Sequence, residues 1–162
     1  MFDAKLIALA EKIITSARAQ SLRLASAESC TGGLVAAVLT EIPGSSDVFG
    51  RGYVTYSNRS KEELLGVPAS LIAELGAVSE PVSRAMAEGA LKKSGAHLAI
   101  SVTGIAGPGG GTEEKPVGLV HIAAARTGHD TLHVENRFGD IGRSAVRIKS
   151  VEAALTLLAR LL

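Results

Sequence analysis

Ala27-Glu28-Ser29-Cys30-Thr31-Gly32-Gly33 joins two runs of different character. Leu22-Arg23-Leu24-Ala25-Ser26 before it reads as a strand, and Leu34-Val35-Ala36-Ala37-Val38-Leu39 after it reads as a helix. A strand that stops at a helix N-terminus leaves backbone N–H groups unpaired, and the helix dipole there favours an anion. The glycines let backbone come close to a ligand. Ser29 and Cys30 are neighbouring nucleophile candidates, and a nucleophile beside unpaired amides is what acyl transfer needs. Ser and Thr at such a junction are more commonly N-caps. The stretch fits neither the Gly-x-Ser-x-Gly elbow nor the Gly-x-x-x-x-Gly-Lys phosphate loop.

Outward from this junction, strand and helix signals alternate. Phe2, Leu6, Leu9 and Ile13 recur at helical spacing and predict an amphipathic helix within Met1–Gln20. Pro43-Gly44-Ser45-Ser46-Asp47 is a turn cluster. Val48 to Ser57 reads as a strand in which Gly50 and Gly52 suggest a bulge or a close backbone approach. Ser57-Asn58 offers an N-cap to a short helix, Arg59 to Leu65, that holds Lys61. A second short helical turn spans Pro68 to Leu75, and Ser79 can cap the next helix, which Gly95 ends. His97 to Val102 fits a buried strand, followed by the glycine-dense loop Thr103 to Thr112. Val117 to Ala125 and Thr131 to Phe138 form a hairpin, and a closing helix starts near Asp140 to Ser144.

This order predicts an α/β fold: helices on both faces of a mixed sheet of about five or six strands. Ligands in such sheets sit beyond the carboxyl ends of strands. Segments 28–33, 57–61 and 103–112 each follow a strand end, so parallel neighbours would bring them to one pocket.

Composition narrows the function classes. A chain of 162 residues suits one domain and can bury about 68–70% of its unfolded surface. Its 17 basic and 16 acidic residues give a net charge of +1, no footprint for nucleic acid. Aromatic residues are 3% and Trp is absent, which disfavours base-stacking platforms. One cysteine suits a reducing compartment, and the N-terminus is neither a signal peptide nor a membrane span, so the expected location is cytoplasmic. The four histidines show no metal-ligand spacing. Lys61 has to be weighed as a base. An ordinary lysine titrates at about 10.4, so working as a base at pH 7 demands roughly 4.6 kcal/mol, which burial can supply, whereas a lysine on a short helix is more commonly exposed.

Five ordered segments carry a resemblance. They are Ala27 to Gly33, then Gly52-Tyr53-Val54-Thr55-Tyr56-Ser57-Asn58 with Lys61, and Gly76-Ala77-Val78-Ser79-Glu80-Pro81-Val82. Ser101-Val102-Thr103-Gly104-Ile105-Ala106-Gly107-Pro108-Gly109-Gly110 and Glu114-Lys115-Pro116-Val117-Gly118 complete the set. Together they resemble the CinA C-terminal domain family, the nicotinamide-nucleotide amidohydrolases or NMN deamidases, over roughly residues 5–160. The resemblance implies a compact three-layer α/β/α sandwich as a single domain over 1–162. It implies hydrolysis of the carboxamide of nicotinamide mononucleotide to nicotinate mononucleotide and ammonia, without metal or cofactor. The implied catalytic residues are Ser29, Lys61 and Tyr56, with Tyr56 positioning Lys61 or relaying a proton. Cys30, Thr31, Gly32 and Gly33 would hold the oxyanion, and Thr103, Gly104, Gly107, Gly109 and Gly110 the ribose phosphate. Which of these two segments takes which group stays open, as does whether Glu28 orients Lys61 or packs.

Larger members carry an N-terminal molybdopterin-binding-like domain, whose activity is not expected here. The expected partners are a small nucleotide substrate and a second copy of the chain, with no nucleic acid and no membrane. Cys30 is the rival nucleophile. The alternative function is a non-catalytic nucleotide-binding or regulatory module linked to competence or DNA damage.

Overall fold

The structure, a computed structural model, describes residues 2–162, so Met1 lies outside it. Five strands form one sheet: β1 (Leu24–Glu28), β2 (Phe49–Val54), β3 (Leu98–Gly104), β4 (Leu119–Arg126) and β5 (Leu132–Arg137). Their spatial order is β2-β1-β3-β4-β5. β1 runs parallel to β2 and β3, while β4 and β5 are antiparallel additions. Six helices cover the sheet: α1 (Ala4–Ala19), α2 (Leu34–Thr40), α3 (Asn58–Leu65), α4 (Ala69–Leu75), α5 (Glu80–Ser94) and α6 (Arg143–Ala159). This is the expected three-layer α/β/α sandwich with a mixed sheet.

Strand alternation sorts the two faces. Leu24, Ile100, Val102, Val120 and Ile122 point to one side and pack with α1, α2 and α6 through Ile13, Val38, Leu155 and Leu158. Ala25, Ala27 and Ala99 point to the other side, against Met86 and Val82 of α5 and Leu65 of α3. Side chains this small let α5 lie close to the sheet. On another side Gly89 lets α5 approach α3, since a Cβ there would sit 2.0 Å from the Leu65 carbonyl oxygen.

The bulge expected near Gly50 is present: Leu24 pairs with Phe49, but Ala25 pairs with Arg51. Gly52 is where α2 crosses β2, and an added Cβ would crowd Ser26 Oγ, Ala36 Cβ and Phe49 Cζ at 3.2–3.3 Å. Two strand ends differ from the sequence reading. β2 stops at Val54 rather than Ser57, because Ser57 accepts a hydrogen bond from the Ser60 N–H and caps α3. β3 runs on to Gly104, so Thr103 and Gly104 belong to the ladder and not to the loop. Gly104 is glycine for lack of room, since a Cβ would lie 2.6 Å from Val120 Cγ2. Ser79 donates to the Gly76 carbonyl instead of capping α5.

The parallel trio β2-β1-β3 is what positions the site. The chain leaves β1 to build β2 on one side and later returns to build β3 on the other. The carboxyl ends of all three strands therefore open on one crevice at the point where strand order reverses.

Candidate active site

Ser29 follows directly on β1. Its N–H donates to the Val102 carbonyl, and its own carbonyl accepts from Gly32 N–H in a tight turn. Lys61 lies one turn into α3, whose start is set by the Ser57 cap. That placement drives the lysine side chain inward, where it is 1% exposed. Its Nζ sits 3.2 Å from Ser29 Oγ, 2.8 Å from the Thr55 carbonyl oxygen and 3.5 Å from the Ser57 carbonyl oxygen. Among the described residues no carboxylate forms an ion pair with Lys61. Burial pushes its amine below the ordinary lysine value of 10.5. Nζ donates to the two carbonyl oxygens and to Ser29 Oγ; in the neutral form its lone pair can instead accept from the Ser29 hydroxyl.

Glu28, 1% exposed, faces the other way. Its carboxylate accepts from the N–H groups of Gly33 (3.0 Å), Val35 (3.0 Å) and Ala36 (2.9 Å), and from Ser26 Oγ (3.2 Å). It therefore caps α2 and does not orient Lys61. This corrects the expectation that the α2 N-terminus is free for an anion. Gly33 is spent on Glu28, and Gly32 on the turn. The free donors are one step earlier: among the described residues, Cys30 N–H and Thr31 N–H have no acceptor. Arg147 holds the carbonyls of Cys30 (3.1 Å) and Thr31 (3.0 Å). A trans peptide points its N–H opposite to its C=O, so gripping the Cys30 carbonyl aims the Thr31 N–H away from Arg147.

Beside Ser29 lies a cavity of about 260 Å³. Ser29, Cys30 and Tyr56 form one wall, and Gly104, Gly107, Gly109 and Gly110, with Ile105 and Ala106, form the other. Arg143, the first residue of α6, closes the mouth. Its guanidinium donates to the Gly107 carbonyl (2.9 Å) and to the Tyr56 hydroxyl (2.8 Å). The N–H groups of Ala106, Gly107, Gly109, Gly110 and Gly111 have no acceptor among the described residues.

Four expected site residues lie off the cavity wall. Thr31 is fully buried, and Thr103 turns its hydroxyl to the Ala77 carbonyl at 2.9 Å. Gly32 and Gly33 belong to the turn and the helix cap instead of the cavity wall. Tyr56 lines the cavity, but its hydroxyl is engaged by Arg143 and makes no hydrogen bond with Lys61. Cys30 loses ground as a nucleophile, because burial pushes its thiol up to about 12 and keeps it protonated at neutral pH.

Sequence reasoning missed Arg143 and Arg147. Their spacing of four residues at the start of the closing helix was the available signal. Among the described residues no three metal-ligating side chains gather, and no helix is long and apolar enough to cross a membrane. His121 and His133 stack, with ring nitrogens 3.0 Å apart, away from the cavity.

Residues 6–162 match the family model described as the CinA C-terminal domain. A CinA-like protein of Synechococcus is 51% identical over 152 residues, covering 93% of this chain and 36% of the relative. A CinA-like protein of Akkermansia muciniphila is 55% identical over 123 residues, covering 76% of this chain and 30% of the relative. The chain thus spans about a third of the length of these curated relatives. Among solved structures, a competence/damage inducible protein from Agrobacterium tumefaciens superposes with a TM-score of 0.98 at 50% identity, covering 99% of this chain and 98% of that one. A CinA superfamily protein from Escherichia coli gives a TM-score of 0.92 at 31% identity, covering 100% and 94%.

Proposed function

The chain belongs to the CinA C-terminal domain family, and we propose that it hydrolyses the carboxamide of nicotinamide mononucleotide to nicotinate mononucleotide and ammonia. The observation that carries this reading is Lys61: a fully buried amine, free of any carboxylate, 3.2 Å from a serine hydroxyl beside a cavity. Burying an amine without a counter-charge is costly, and a nucleophile that needs a base gives that cost a use.

In the proposed reaction Ser29 Oγ attacks the amide carbon while its proton passes to neutral Lys61. The carbonyl oxygen becomes an oxyanion held by the Cys30 and Thr31 N–H groups. The C–N bond then breaks, Lys61 returns the proton to the leaving nitrogen, and ammonia departs. The acyl group is left as an ester on Ser29. Water attacks that ester, Lys61 takes the water proton, and the same proton restores the Ser29 hydroxyl as the acid leaves. The unpaired amides of the 106–111 loop and Arg143 suit the substrate phosphate. The exposed Tyr56 ring offers its face to the cationic pyridine ring.

The likeness to a competence/damage inducible protein favours a second reading, a regulatory module that binds a nucleotide without turnover. Ammonia release from nicotinamide mononucleotide by wild type, Ser29→Ala and Lys61→Ala separates the two. Release by wild type alone supports the amidase. Nucleotide binding with no release from any of the three would sink it.

A further inference from the structure

The first two turns of α6 bring two arginines to the site, and their surroundings differ. Arg143 lines the mouth of the cavity. Arg147 lies off the cavity wall, half-buried against the turn that follows β1. Its Nε donates to the Cys30 carbonyl at 3.1 Å and its Nη2 to the Thr31 carbonyl at 3.0 Å. Gly32 leaves space for the guanidinium, since a Cβ there would stand 3.4 Å from Nη2. Among the described residues no carboxylate forms an ion pair with Arg147. A planar cation that gives two donors to successive carbonyls, and none to an acid, is arranged to hold the backbone between them.

We propose, on the acyl-transfer reading of Ser29 and Lys61 above, that Arg147 is a positioning residue: through these two carbonyls it aims the Thr31 and Cys30 N–H groups at the oxyanion that forms when Ser29 attacks. Peptide planarity carries the grip to both donors. The Cys30 carbonyl and the Thr31 N–H belong to one peptide, so holding the first orients the second. The Thr31 carbonyl and the Gly32 N–H belong to the next peptide, and that N–H donates to the Ser29 carbonyl at 3.0 Å. The Ser29 carbonyl in turn shares its peptide with the Cys30 N–H. One guanidinium therefore sets both donors, the first directly and the second through the turn.

A four-residue turn can carry its central peptide either way up. Here that peptide joins Cys30 to Thr31. Turned over, it would present the Cys30 carbonyl to the oxyanion where the Thr31 N–H belongs, and Arg147 holds that carbonyl on the far side. Its positive charge also polarises the peptides in the sense that strengthens their N–H ends as donors. The base is independent of this grip: Lys61 Nζ meets Ser29 Oγ and the carbonyls of Thr55 and Ser57. Loss of Arg147 thus leaves the base and the cavity wall in place and acts on the transition state.

Steady-state turnover of nicotinamide mononucleotide by wild type, Arg147→Met and Arg147→Lys tests the proposal, with urea denaturation giving the folded fraction of each. Arg147→Met is expected to lower kcat per folded molecule by about 10–100-fold, with KM within about threefold of wild type, as a misaimed oxyanion donor does. The pH midpoint of kcat/KM should not move. Arg147→Lys, which reaches one carbonyl but not both, should fall between the two. A second readout needs no nucleotide. A fluorophosphonate labels a serine when its oxygen displaces fluoride from phosphorus, and the phosphoryl oxygen then takes the oxyanion position. Labelling that Ser29→Ala abolishes should be slowed about tenfold or more in Arg147→Met. Such Arg147-dependent labelling without turnover of the nucleotide would overturn the substrate reading and support the positioning role. Unchanged kcat and labelling in folded Arg147→Met, a rise in KM alone, or a shifted pH midpoint would overturn the positioning role, as would a wild type that neither turns over nor labels at Ser29.

Discussion

Glu28 and Lys61 are both 1% exposed and lie on either side of the same turn, yet their surroundings differ completely. Glu28 meets three backbone N–H groups and one hydroxyl, all donors to a carboxylate. Lys61 meets two carbonyls and a hydroxyl, with no negative charge in reach. The first arrangement completes a helix terminus by giving its orphan N–H groups an acceptor. At Lys61 burial without a counter-charge lowers the proton affinity, which suits a base and serves stability poorly. A buried ionisable residue thus reads as structural or functional according to whether its neighbours make up for its burial.

The sharpest test of this contrast is the loss of activity. Ser29→Ala and Lys61→Met are each expected to lower turnover of nicotinamide mononucleotide by roughly 10⁴-fold or more, as removal of a member of a nucleophile–base unit does. Activity within tenfold of wild type in either variant would remove the dyad from the mechanism. Next in size is a divergence in stability. Glu28→Ala should cost about 3 kcal/mol in urea denaturation, since it strands buried amides. Lys61→Met should instead stabilise by about 0.5–2 kcal/mol. Equal losses at both positions would erase the distinction.

The pH dependence sharpens it further. The folded-state value of Lys61 lies below its unfolded value of 10.5, so its stability contribution is complete above 10.5 and lost as pH falls. The advantage of Lys61→Met over wild type should therefore shrink as pH is raised toward 10.5. In the same direction, kcat/KM should rise with pH to a plateau, with its midpoint below the ordinary lysine range. A stability gap that stays constant across that window would mean that Lys61 is not depressed. The smallest effect belongs to Cys30→Ala. With its thiol at about 12, activity should stay within about threefold of wild type, and iodoacetamide should leave the native protein unmodified at neutral pH. Rapid inactivation through Cys30 would restore it as a nucleophile.

The turn at Ser29, the bulge at Gly50 and the three polar strand-end segments were legible in the sequence. Each is written in local periodicity or in glycine placement. The strand reading of Thr103 and Gly104 was not, because Gly104 answers to Val120, sixteen residues away, and not to its own loop. For Tyr56 the resemblance implies a role of positioning Lys61 or relaying a proton. The fold gives its hydroxyl to Arg143, eighty-seven residues along the chain.

What the sequence by itself determined was the alternation of strands and helices, the two-sided sheet and the segments that carry chemistry. Local spacing fixes which face a residue takes, and that is enough for a layer architecture. Only the tertiary structure decided that β1 lies between β2 and β3, that Glu28 caps α2, and that Lys61 is buried against Ser29 without a counter-charge. Strand order, desolvation and the sign of the nearest dipoles are properties of segments distant in the chain, set when the layers close over one another.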